Sequence, residues 1–311
     1  MKYRHIGILS VGHMVTDINQ GALPAMLPFF IAAYDLSYAA AAGIVFAAGT
    51  RKGTAMSIFG VGGTLGFAIG PLIVTAALLY WGLKGTLVLI VPVSIMALVM
   101  TSQFSTFEHL AAHANQDQRT SGTDEVKDNW GAFLRLTITI IGRSIIFYGL
   151  NTFIPIYWIN ALNQSKSAGA IALTIFAGSG IIGNLLGGLL ADRIGQKKVM
   201  LLGYFSLTIF LPILILVNNV QVATLLLIPI GLLLYGTYSP SIVLGQKYLP
   251  NRVGFSSGVT LGVAVAIGGG TAPIIGRIAD LYGIWYSLAS IAFLPVFFFA
   301  IVLSLPKSEP K

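Results

Sequence analysis

Runs of about twenty apolar residues recur along this chain, separated by short polar breaks. A helix needs a run of that length to cross the hydrocarbon of a bilayer. No water is available there, so each backbone N–H and C=O must be satisfied within the fold, and long apolar runs read as spanning helices. Of the 311 residues, 56% are hydrophobic and only 9% are charged, which excludes an ordinary soluble domain. The expected class is an all-α polytopic membrane protein.

One of these runs, residues 53–80, contains Gly60-Val-Gly-Gly-Thr-Leu-Gly-Phe-Ala-Ile-Gly-Pro71. Gly62, Gly66 and Gly70 recur every fourth residue and so share one helix face. Glycines at that spacing let helix backbones approach closely, which in lipid replaces the missing hydrophobic drive. Pro71 then removes a backbone donor. Arg252-Val-Gly-Phe-Ser-Ser-Gly258, with Gly262, Gly268-Gly-Gly270, Pro273 and Gly276, repeats the design. A single copy is explained equally well by plain close packing. A helical unit present twice is the mark of a two-bundle transporter.

In the first part, helices are expected over 5–33, 53–80 and 83–104, with an apolar fragment at 38–48. That fragment rises only about 16 Å, half a bilayer. In the second part, six are expected over 132–160, 167–191, 199–217, 222–244, 254–275 and 285–305. Residues 105–131 carry Glu108, Asp117, Arg119, Asp124, Glu125, Lys127 and Asp128 and read as a solvated linker. The organisation is then a truncated N-terminal bundle (1–104), a cytoplasmic linker (105–131) and a six-helix C-terminal bundle (132–311).

The two parts align unevenly. Gly12-His13 pairs with Gly142-Arg143 and Phe46-Ala47 with Phe176-Ala177, both at a separation of 130, whereas Arg51 pairs with Arg252 at 201. About 71 residues of the second part thus lack a counterpart, which points to an internal deletion between about 48 and 50. The expected architecture has about nine or ten helices instead of twelve, the N-terminal bundle being incomplete.

With the N-terminus inside, fourteen lysines and arginines fall in inner loops and ends, and only Lys84, Lys166 and Arg277 fall outside. That bias places both termini in the cytoplasm and explains the net charge of +8 without nucleic acid. The N-terminal run lacks a cleavage pattern and reads as a span, not a signal peptide. No cysteine is present, so disulfides and thiolate chemistry are excluded. No nucleophile, acid pair or cofactor motif stands out, and His109 with His113 has no third ligand nearby, so neither an enzyme nor a metal site is expected. The expected partners are the lipid bilayer, a small-molecule substrate and protons; the sequence does not decide for or against an oligomer.

Asp17 lies about 20 Å along the first helix from Arg4. A carboxylate at that depth is costly unless paired, hydrated or protonated, and spans carry such groups for function. His13 lies one turn away on the same face. The two could relay a proton, or could form a bond that locks the first helix to a neighbour. Gln20 continues the face, as polar packing or as a substrate contact. Arg143 lies about 12 Å deeper than Arg135 in the first helix of the second part. Its fork suits an anion such as a phosphonate or carboxylate. It could equally pair with Asp17 or snorkel to the inner surface. Asn151, two turns on, is a further cavity candidate. Tyr157 and Trp158 are expected at an outer aromatic belt, and Tyr235, Tyr238 and Ser239-Pro240 at an inner polar patch.

Gly187-Gly-Leu-Leu-Ala-Asp-Arg-Ile-Gly-Gln-Lys-Lys198 resembles the cytoplasmic loop motif of the major facilitator superfamily, and residues 60–71 resemble its antiporter motif. Gly12-His-Met-Val-Thr-Asp-Ile-Asn-Gln20 with Leu23-Pro24, and residues 51–63, resemble the fosmidomycin-resistance branch. The resemblance implies a bacterial inner-membrane, multi-pass, proton-coupled exporter of fosmidomycin-like or other toxic compounds. It implies conformational roles for Gly188, Asp192, Arg193, Gly195 and Lys197, and for Gly62, Gly66, Gly70 and Pro71. The family's first copy of the loop motif and its third and fourth helices are absent from this chain. The competing expectation is therefore a non-transporting truncated protein or subunit.

Overall fold

The computed structural model of the chain describes residues 56–102 and 127–306. The described part of the first half is α1 (Met56–Trp81), a 3-10 segment (Gly82–Leu89) and α2 (Ile90–Ser102). The second half begins with α3 (Trp130–Asn160), α4 (Lys166–Ile194), α5 (Gln196–Leu216), α6 (Val220–Gly236) and α7 (Tyr238–Tyr248). It continues through α8 (Val253–Gly258), a π turn (Val259–Val263), α9 (Ala264–Gly270), α10 (Ala272–Tyr282), α11 (Ile284–Ala292) and α12 (Leu294–Leu303). Among the described residues, six segments are long and apolar enough to cross a membrane. The fold is all-α, polytopic and of the two-bundle kind.

α3 is the axle of the second half. It touches α4, α6, α7, α9, α10, α11 and α12, and 61% of its most apolar stretch is buried, against 17% for the span 68–98. Small residues seat its neighbours. The ring of Phe298 fills the place a side chain would take at Gly142, and Gly268 of α9 lies against the backbone of Ser144 and Ile145. The first half meets this set chiefly through α1 against α4, where Ala68 and Ala177 are both buried.

The most extensive helix contact among the described residues is α4 against α6. A Cβ on Gly183 would strike the backbone of Leu232, and one on Gly187 the backbone of Gly236. Lipid tails are as apolar as leucine, so this pair is held by close dispersion contact, and the contact needs bare backbone on both sides. Gly66, Gly70 and Pro71 are buried in α1, which runs unbroken through Pro71. The tightest backbone approach recorded, however, belongs to the glycines of the loop-motif helix.

Three expected helices are broken. The run 222–244 divides at Thr237, 254–275 at Thr271, and 285–305 at Phe293. Each break precedes a proline by two or three residues: Pro240, Pro273 and Pro295. Proline has no N–H and pre-sets a first-turn conformation, so it restarts a helix more readily than it continues one. Thr237 and Thr271 cap the broken ends, donating from Oγ1 to Leu234 O at 2.8 Å and Gly268 O at 2.6 Å.

The aromatic belt also differs from expectation. Tyr157 and Trp158 are fully buried, because they lie on the helix that the others surround. At the end of the second half where α10 meets α11, Tyr282, Trp285 and Tyr286 are exposed and in edge contact. Trp285 Nε1 donates to Ile215 O at 2.9 Å, the polar-handle use of an interfacial tryptophan.

The backbone contact makes a direct prediction. Gly187→Leu should force α4 from α6 and lower thermal stability severely, by about 3 kcal/mol or more. Gly178→Ala, where a Cβ meets nothing within 4 Å, should leave the melting temperature of the purified protein nearly unchanged.

Candidate functional site

Arg143 lies in the middle of α3 and is 5% exposed, which excludes the snorkelling alternative. Its Nη1 donates to Leu234 O at a long 3.4 Å. Its Nε is buried and has no hydrogen-bond partner. Two rings cover the guanidinium: Tyr238 at 4.7 Å from the ring centroid and Phe147 at 5.6 Å. Among the described residues no carboxylate pairs with it. Cation–π contact compensates part of the desolvation of this charge, and one weak carbonyl bond adds little.

The site grows out of the α4–α6 contact. Gly180 leaves a notch that the Tyr235 ring fills. That ring stands edge-on to Phe147 at 5.3 Å and to Phe176 at 5.7 Å. Two residues past Tyr235, α6 ends at Thr237, whose methyl packs at Gly203 of α5. α7 then begins with Tyr238, which carries its ring over Arg143. Leu234 O, left near the broken helix end, accepts from both Thr237 and Arg143.

Asn151 shares a face with Arg143 and Phe147, at successive steps of four. It is 1% exposed, and its Nδ2 donates to Phe147 O at 2.8 Å while Oδ1 is buried without a hydrogen bond. Phe147 also packs against the Ala68–Ala177 cluster where α1 meets α4. The structure thus brings Arg143 and Asn151 onto one face beside the junction of the halves. Asp17, His13 and Gln20 lie outside the described residues. Tyr235 and Tyr238 were expected at a polar patch; they are instead the walls of the Arg143 site. Phe147 and the Leu234 carbonyl carried no sequence signal of this role.

The loop-motif residues lie at the end of the second half that carries Arg135, Lys197 and Lys247. Gly195 joins α4 to α5 at φ 94°, a conformation that favours glycine. Gly188 has Ser239 Oγ 3.8 Å from where its Cβ would sit, an ordinary contact. Asp192 and Arg193 are exposed. Lys197, expected at the membrane surface, instead donates to Leu303 O at 2.9 Å and to Leu305 O, while Arg135 Nη1 donates to Ser304 O at 2.6 Å. The last carbonyls of α12 lack helical partners, and two cations satisfy them.

A buried charge without a counter-ion is retained at a cost in stability. Arg143→Met, which keeps the apolar bulk and removes the charge, should raise the melting temperature of the purified protein by a few degrees, about 1–2 kcal/mol. A lowered melting temperature would mean that the guanidinium is a structural tie.

The profile of the Major Facilitator Superfamily matches residues 22–261. The chain is 31% identical over 255 residues to an uncharacterized MFS-type transporter, YfnC, of Bacillus subtilis (strain 168). It is 29% identical over 257 residues to the fosmidomycin resistance protein of Escherichia coli (strain K12). Each match takes in 80% of this chain and 62% of the relative, so the chain spans about three fifths of these relatives' length. A crystal structure of a bacterial homolog of the human lysosomal transporter Spinster, inward-facing and occupied, has the same fold, with TM-score 0.61, 12% identity, and 97% and 96% of the two chains covered. This chain belongs to the Major Facilitator Superfamily.

Proposed function

We propose that the chain is a secondary active transporter that exports small anionic toxic compounds, fosmidomycin-like phosphonates among them, in exchange for protons. The observation that carries this reading is Arg143: a permanent charge, buried beside the junction of the halves, with its Nε edge unfilled. Nε and Nη2 form the parallel fork that grips a phosphonate or carboxylate in two hydrogen bonds. Asn151 Oδ1, about 12 Å further along α3, is a second unfilled group for a donor on the same ligand. Gln20 is a candidate third contact. Asp17 and His13 would carry the proton, protonation of Asp17 biasing one access state over the other. The loop and antiporter motifs would steady the states between which the protein moves. The protein would sit in a bacterial inner membrane with its basic end and both termini in the cytoplasm.

A second reading is favoured by the chain's span of its relatives and by the shallow burial of residues 68–98. On that reading an internal deletion has removed part of the N-terminal bundle, and the protein no longer transports.

Reconstitution into vesicles with an imposed pH gradient separates the two. The transporter reading expects proton flux triggered by fosmidomycin, abolished by Asp17→Asn and reduced at least tenfold by Arg143→Gln. Folded protein without flux would establish the second reading.

A further inference from the structure

Two rings cover Arg143, and they differ in what they are attached to. Phe147 lies one turn along the same helix, α3, whose length is buried among its neighbours. Its ring moves only with the helix that bears the guanidinium. Tyr238 comes from another element and is the first residue after the break at Thr237. The far end of α7 is pinned. Lys247 Nζ donates to Gln196 Oε1 at 3.0 Å, and Tyr248 O accepts from Asn129 N at 2.7 Å. A short helix held at one end and broken from its neighbour at the other pivots at the break.

We propose that Tyr238 is the positioning residue of the anion site: its ring occupies the guanidinium of Arg143 when no anion is bound and leaves when one enters, moving the break at Thr237. This rests on the reading that Arg143 binds an anion. Nε is fully buried, so no anion reaches the fork until a cover moves. Anion binding and ring contact draw on the same cation. A guanidinium that turns to an oxyanion also gives up its weak bond to Leu234 O, one of the two bonds made at that carbonyl. Occupancy of the site would thereby be felt at the break.

The test uses the full chain in nanodiscs, with fosmidomycin as the probe. Its affinity is measured by calorimetry and the amide exchange of residues 234–241 by mass spectrometry. In the wild type the probe should bind and should raise exchange across 234–241 severalfold. Tyr238→Leu should bind the probe about tenfold more tightly, because the competing ring is gone. Its 234–241 amides should exchange quickly from the start and should no longer respond to the probe. Tyr238→Phe keeps the ring and should match the wild type in both measurements. The proposal is overturned if Tyr238→Leu binds with unchanged or weaker affinity, or if Tyr238→Phe departs from the wild type. Should Tyr238→Leu not fold, wild-type exchange that is indifferent to the probe overturns it alone. Absence of wild-type binding, or undiminished binding in Arg143→Gln, would instead bring down the anion reading itself, and this proposal with it.

Discussion

The polar site of this protein is built on a contact with no polar side chain in it. Gly183 and Gly187 of α4 lie directly on the backbone of α6 at Leu232 and Gly236. In a bilayer, helices gain nothing from hiding apolar surface from lipid, and association comes from close dispersion contact over bare backbone. Fixing α6 this closely fixes Tyr235 in the notch at Gly180 and sets the end of α6 at Thr237. The position of Tyr238 over the guanidinium follows. Arg143 is therefore held by a scaffold of glycines two helices away as much as by its own helix.

The second half is stiff at one end and interrupted within. At its basic end Arg135 and Lys197 tie the last carbonyls of α12, and Lys247 ties α7 to α5. Asp128 joins this end to the linker, accepting from Asn251 N at 3.2 Å and pairing with Arg252 Nε at 3.4 Å. Away from it, proline-led breaks at Thr237 and Thr271 interrupt two spans. Irregular backbone within a membrane span is tolerated where it is buried in protein, and here threonine hydroxyls and Arg143 satisfy the freed carbonyls. Motion within this half is cheapest at those breaks.

The helical class, the spans and the depth of Arg143 were legible in sequence, because run length and the 1.5 Å rise per residue fix them. The superfamily was legible in residues 187–198, and the family profile agrees. The breaks were partly legible: Pro240, Pro273 and Pro295 stood in plain view, but Pro71 and Pro155 lie inside unbroken helices, so proline alone does not decide. The aromatic belt was misread at Tyr157 and Trp158 because depth along a helix does not tell which helix the others surround. The pairing of Arg143 with Tyr238 could not be read, since it joins residues distant in the chain and depends on where α6 ends. The role of Lys197 was hidden for the same reason: its partners are carbonyls more than a hundred residues away.

The central claim is that an unpaired charge inside the second half waits for an oxyanion. A cryo-EM structure of the full chain saturated with fosmidomycin tests it most directly. The account predicts phosphonate density within hydrogen-bond distance of Arg143 Nε and Nη2, with the Tyr238 ring withdrawn. Density elsewhere, over a guanidinium still stacked beneath Tyr238, would contradict it.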